Sequence, residues 1–165
     1  MTVCYSRLQT EIGVILIGYR DRQIIETSLD ANEALFIRDL TERHDEPPEF
    51  QSLAPASVER TVKASIQGRH DLSGVDLSAL SDFQRRVLEA TAAIPLGELR
   101  TYGEVALSIG AAGAARAVGT ALATNPVPIV VPCHRVVRAN GDLGNYSGPG
   151  GPGSKKRLLE FEGAI

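Results

Sequence analysis

The sequence has no tryptophan, one methionine, three histidines and two cysteines among its 165 residues. Two cysteines, Cys4 and Cys133, cannot build the disulfide framework of a small secreted scaffold, and two thiols in a chain this size fit a reducing compartment. Ligand types in the first half are limited to Cys4, His44 and His70, with no paired spacing, so no metal site is expected. Cys4 reads more simply as a strand residue. No apolar run approaches the roughly 20 residues of a membrane span. No basic stretch leads into an apolar segment at the N-terminus, so no secretory signal is expected either, and the chain is placed in the cytoplasm. With 43% hydrophobic and 22% charged residues it is globular rather than disordered. Its length suits one ordinary domain or two small ones.

An excess of positive charge is also missing. The formal net charge is −3, which argues against a nucleic-acid partner until it is divided along the chain. Residues 1–80 carry 8 basic and 13 acidic side chains; residues 81–165 carry 9 and 7. Any phosphate contact is therefore expected from the second half.

The first half shows a short apolar run, Gly13–Gly18, then Gln23–Thr27 after a charged turn, a pattern that predicts a hairpin. Asn32 is placed to cap a helix through about Arg43. Pro47-Pro48 marks a loop, a second helix is expected from Pro55 to Gln67, and Gly68 stops it. Residues 71–80 read as a connector, which sets the expected boundary between units 1–80 and 81–165.

The second half is more regular. Ser81 or Asp82 caps a helix that Pro95 and Gly97 end. A short helix spans Thr101–Ile109, and a Gly/Ala turn leads into Ala114–Ala123. Two short helices about a glycine turn give helix-turn-helix geometry, or equally two packed helices of an ordinary α domain. The second of them has one long polar side chain, Arg116, among small residues. A helix reading base edges in the major groove needs several. A face this small suits close approach to the minor groove with little sequence preference. It also suits tight helix packing with Arg116 solvated.

The richest stretch is Asn125-Pro126-Val127-Pro128-Ile129-Val130-Val131-Pro132-Cys133-His134-Arg135. Its prolines forbid a helix and stiffen the approach to Cys133. A thiol held in this way beside a histidine reads as a positioned nucleophile, since the thiolate reacts and His134 can take the proton if an acid orients it. It also reads as a buried apolar thiol.

Pro132-Cys133-His134-Arg135, with Asn125–Ile129 before it and Gly144-Asn145-Tyr146-Ser147-Gly148 after it, closely resembles the O6-alkylguanine-DNA alkyltransferase family. The match continues back through Ala114–Gly119, Tyr102 and Phe83-Gln84, covering nearly all of 81–165. The first 80 residues resemble that family only in length and pattern. The resemblance implies an α+β fold: a small ribonuclease-H-like N-terminal α/β unit, then a mainly helical winged-helix-type unit with a helix-turn-helix. It implies repair of O6-alkylguanine, and of O4-alkylthymine, in duplex DNA by irreversible transfer of the alkyl group to Cys133, once per molecule and with no cofactor. It implies that His134 takes the thiol proton through a bridging water, that Glu162 orients His134, and that Asn125 braces the turn. Tyr102 would crowd the 3′ phosphate and donate to the leaving base. Arg116 would fill the space of the flipped nucleotide, with Thr101, Ala115, Ala117 and Gly119 against the minor groove. Tyr146, Ser147, Pro128 and the backbone of Val136 would line the base pocket. The partner would be double-stranded DNA met by a monomer, with cooperativity along DNA left open; the setting would be nucleoid-associated in a prokaryote and nuclear in a eukaryote.

The passage from Gly148 to Lys155, through Pro149-Gly150-Gly151-Pro152-Gly153-Ser154, departs from the family by about two residues. It borders the base pocket and could shift Glu162, although the Lys155–Glu162 helix pattern survives. Other readings are a non-catalytic lesion-binding relative, which would lack Cys133; a helix-turn-helix regulator; and a cysteine hydrolase.

Overall fold

In the computed structural model, residues 1–144, 146 and 151–165 are described. Strands β1 (Cys4–Thr10), β2 (Gly13–Arg20) and β3 (Gln23–Leu29) form an antiparallel meander. Helix α1 (Glu33–His44) then crosses to β4 (Glu49–Phe50), which pairs parallel with β1 and completes the order β3-β2-β1-β4. Helix α2 (Ala56–Ile66) and a 3-10 turn at Leu72–Gly74 lead out of this half. Helices α3 (Asp82–Ala92), α4 (Tyr102–Ser108) and α5 (Ala115–Ala123) follow, with β5 (Arg100–Thr101) pairing with β6 (Val136–Val137) and α6 (Gly151–Phe161) last. This is the α+β arrangement expected from the sequence, a small sheet with its helix followed by a mainly helical half. Among the described residues no helix is long and apolar enough to cross a membrane.

Local chemistry sets these elements. Asp21 and Arg22 both take positive φ, 54° and 64°, which gives the β2–β3 hairpin a turn whose twist matches its strands. β2 is buried on both faces. Ile15, Ile17 and Tyr19 enter the main core, while Leu16 joins Val3, Tyr5, Ile25, Phe36 and Leu40 under α1. Asn32 and Ser81 accept from Leu35 N and Gln84 N to cap α1 and α3, and Thr101 with Glu104 forms a reciprocal capping box on α4.

The differences from the sequence reading are instructive. The predicted hairpin is a three-stranded meander, because β1 lacks the apolar run that marked β2: only Tyr5 and Ser6 are buried along it. The pairs formed by β4, β5 and β6 are two residues long and leave no periodic signal. Helix α6 begins at Gly151, not Lys155; Pro152 falls in its first turn, where a missing N–H costs nothing. Ser147, and with it Asn145, Gly148, Pro149 and Gly150, lies outside the described residues.

The main core is continuous through both halves, from Ile15 and Val62 to Val118, Val131 and Leu158. β3 also bonds directly to the proline-rich stretch. Thr27 N donates to Pro126 O at 3.0 Å and Thr27 Oγ1 to Pro128 O at 2.6 Å.

Candidate active site

Asn125 turns the chain at the end of α5. Its Oδ1 accepts from Val127 N at 3.0 Å and its Nδ2 donates to Val131 O at 3.3 Å, so one buried amide spans the whole bend. Inside the bend Ile129 takes φ 78°, a left-handed conformation that a β-branched side chain rarely adopts. The segment then enters a 3-10 turn at Cys133–Arg135. Cys133 is 5% exposed, and no disulfide joins it to Cys4.

Behind the thiol lies a buried polar network. His134 Nε2–H donates to Glu162 Oε2 at 2.9 Å. Arg135 grips the same carboxylate twice, Nε to Oε1 at 2.9 Å and Nη2 to Oε2 at 2.8 Å. Burial raises the Glu162 pKa, but the bonds from Arg135 and His134 outweigh it and hold the carboxyl at about 2. Burial, with the Arg135 and Lys155 charges, lowers the pKa of His134 more than Glu162 raises it, so the ring is neutral at pH 7. With the proton on Nε2, the Nδ1 lone pair is the basic site. Among the described residues it meets no protein partner, so Nδ1 is left open to receive a proton. Glu162 itself sits just beyond α6, and the longer passage before Lys155 has not moved it out of reach.

In front of the thiol a cavity of about 660 Å³ opens to solvent. Its walls bring together Thr101 and Tyr102 at the start of α4, Ala115, Arg116 and Gly119 on α5, Cys133, and Arg138. Arg116 and Ala117 are exposed, and Ala115 and Gly119 are half-buried. A Cβ on Gly119 would stand 3.8 Å from the Tyr102 ring, ordinary contact distance, so α5 runs beside that ring with room for no more than a small side chain. Burial and the nearby Cys133 raise the Tyr102 pKa, which keeps its phenol protonated and able to donate. The Tyr146 hydroxyl is buried with no partner among the described residues, and its pKa is pushed well up by burial and by Cys133. The Val136 carbonyl accepts from Lys155 Nζ at 2.5 Å and keeps a second lone pair. Pro128 is not on the walls of this cavity; it packs toward Thr27 and Asn125 on the opposite side of the stretch.

Sequence reasoning passed over four residues that the fold brings here. Arg135 is fully buried and organises Glu162. Lys155, also fully buried, is held at about 8 by burial, with Cys133 raising it and Arg138 lowering it. Arg138 lines the cavity mouth. His70 bonds Arg135 from the other half of the chain. A basic residue directly after the Cys-His pair was the visible signal for Arg135; His70, 65 positions away, had none.

Two outcomes follow from this geometry. Glu162→Gln removes the charge that orients His134 and leaves Arg135 buried beside a neutral amide. We expect a loss of about 3 kcal/mol in stability by denaturant melting. Cys133 alkylation should slow by about tenfold or more, with duplex affinity unchanged. Gly144 has φ 80°, and a Cβ there would lie 2.7 Å from Tyr102 Oη. Gly144→Ala should therefore strain the backbone by about 1–2 kcal/mol, displace the phenol and lower the melting temperature by a few degrees.

Comparison with known proteins places these features. The family described as 6-O-methylguanine DNA methyltransferase, DNA binding domain, matches residues 82–164. The Mycobacterium tuberculosis protein named methylated-DNA–protein-cysteine methyltransferase is 56% identical over 82 residues, which is 50% of this chain and 48% of that protein. The chain thus matches about half the length of its curated relative. A crystal structure of Mycobacterium tuberculosis OGT in complex with DNA superposes with a TM-score of 0.76 at 35% identity, over 98% of this chain and 94% of that one. O6-methylguanine-DNA methyltransferase from Pyrococcus kodakaraensis superposes with a TM-score of 0.76 at 26% identity, over 98% and 99%.

Proposed function

The chain belongs to the O6-methylguanine-DNA methyltransferase family, and from that premise we propose that it repairs DNA by moving an alkyl group from O6 of guanine to Cys133. The observation that carries this is the placing of the Cys133 thiol on a cavity it shares with Tyr102 and Arg116, backed by a neutral His134 whose free lone pair Glu162 sets.

The thiol proton passes to His134 Nδ1, through a water in the family's manner. The thiolate sulfur then attacks the alkyl carbon in line. The S–C bond forms as the C–O6 bond breaks, and the guanine leaves with the electron pair and takes a proton from Tyr102. The Lys155 ammonium, close enough to couple to Cys133, favours the thiolate. A thioether has no hydrolytic route in this site, so each molecule acts once. O4-alkylthymine is open to the same attack.

O6 lies inside the duplex, so the base must be turned out at a cost of a few kcal/mol, least for a damaged pair. Arg116, exposed on the cavity rim, is placed to occupy the vacated stack from the minor groove. Thr101, Ala115, Ala117 and Gly119 make the close approach, with little reading of sequence. Tyr146 and the Val136 backbone would bound the base. The relative solved in complex with DNA supports duplex DNA as partner. We assign catalysis and DNA binding to residues 81–165 and support to residues 1–80, in a monomer of the cytoplasm or nucleoid.

The test is direct. Incubate the protein with an O6-methylguanine duplex, digest it with trypsin and weigh the 117–135 peptide. One added methyl on Cys133, at one equivalent per protein, is expected. An unmodified peptide beside a repaired or unrepaired duplex would overturn the proposal.

A further inference from the structure

Arg135 is fully buried, and a guanidinium brings five N–H donors with it. Nε and Nη2 are taken by Glu162. Nη1 donates to Ile94 O at 2.8 Å and to His70 Nε2 at 2.9 Å. His70 lies beyond α2, outside the 82–164 span that matches the family. Its other nitrogen is also committed, since Nδ1–H donates to Val130 O at 2.9 Å. A carbonyl can only accept and a guanidinium can only donate. The two partners therefore fix one tautomer, Nδ1–H with an Nε2 lone pair. Burial supports this by holding the His70 pKa at about 4, helped by Arg135 and His134 and opposed by Val130 and Glu162.

We propose that His70 is a positioning residue of the transfer site: its Nε2 lone pair holds the Arg135 guanidinium in the plane that grips Glu162, and through Glu162 it sets His134 behind Cys133. The proposal rests on the reading that Cys133 is the reacting group. Without the lone pair, one Arg135 N–H is buried and unsatisfied, and the guanidinium must shift to find a partner. The charged and titratable groups facing this point are Arg135, His134 and Glu162, and Lys155 acts on His134. Arg135 lowers the proton affinity of His134. A displaced Arg135 lowers it less, so the histidine protonates at higher pH and is lost as a base sooner on acidification.

The rival reading is that His70 merely ties down Val130. Two conservative variants separate them, because a glutamine amide reaches the position of Nε2 and an asparagine amide that of Nδ1. The measurement is the pH–rate profile of Cys133 alkylation by iodoacetamide, read on the 117–135 peptide, beside single-turnover transfer from O6-benzylguanine. His70→Gln should keep the wild-type profile. His70→Asn and His70→Phe should react about tenfold more slowly at pH 7, with the acid limb moved to higher pH. If asparagine rescues and glutamine does not, or if all three variants keep the wild-type profile, the proposal is overturned. Should His70→Phe fail to fold, the Gln/Asn pair decides alone. A wild-type protein that takes no benzyl group, while the iodoacetamide profiles of the variants still shift as stated, would overturn the transfer reading and leave His70 in its assigned role.

Discussion

Cys133→Ser should lose alkyl transfer by at least about a thousandfold while keeping wild-type affinity for duplex DNA, because a hydroxyl is a far weaker nucleophile at neutral pH. The residue is 5% exposed and the replacement is smaller, so the turn at Cys133–Arg135 should hold. None of the exposed groups on the cavity rim changes. His134 still offers Nδ1, but its depressed pKa makes it too weak a base to ionise an alcohol. The readout is the mass of the 117–135 peptide together with a binding titration at fixed salt. Stoichiometric transfer by the serine variant would place the acceptor elsewhere, and Cys4 is the other thiol.

Arg116→Ala should separate two steps that the wild-type protein joins. In the first turn of α5 this is the single long side chain among Ala115, Ala117, Val118 and Gly119. If it fills the vacated stack, its loss removes a few kcal/mol from base extrusion, and repair of a duplex at saturating DNA should fall about a hundredfold. Transfer from O6-benzylguanine as a small molecule needs no extrusion and should stay at the wild-type rate. A phosphate contact behaves otherwise. It would weaken binding, reduce the salt slope by about one unit, and be rescued by saturation with DNA. Normal rates in both assays would return Arg116 to an ordinary solvated residue.

Much of the site could be read before the fold was known, for a physical reason. Cys133, His134 and Arg135 are adjacent, and the proline-rich approach to them is local chain chemistry. Capping at Asn32 and Ser81 is local too, and both appear as expected; Thr101, read as the first helical residue, is instead the cap of α4. The rest depends on contacts between distant positions. Thr27 meets Pro128 across 101 residues and His70 meets Arg135 across 65, and neither leaves a periodic mark. Pro128 was placed in the base pocket by the family resemblance alone. Its carbonyl instead accepts from Thr27 Oγ1 on β3, a contact 101 residues away that nothing local announces. The start of α6 was read too late because Gly151-Pro152-Gly153 has loop composition, although a first turn tolerates it.

The bend at Ile129 has a consequence for how this protein tolerates mutation. A β-branched residue in left-handed backbone carries about 1–2 kcal/mol of strain. That strain is held because the Ile129 side chain is 3% exposed within the main core, together with Val87, Leu122 and Val131. Core burial of such a side chain outweighs the strain by only a small margin. Substitutions that loosen the core around Ile129 should therefore let it relax toward extended backbone and carry Cys133 out of line with His134. Inactivating changes should thus cluster by their packing against Ile129 rather than by their distance from the thiol. A genetic screen for lost repair would recover conservative core substitutions in proteins that still fold, melt cooperatively and bind DNA.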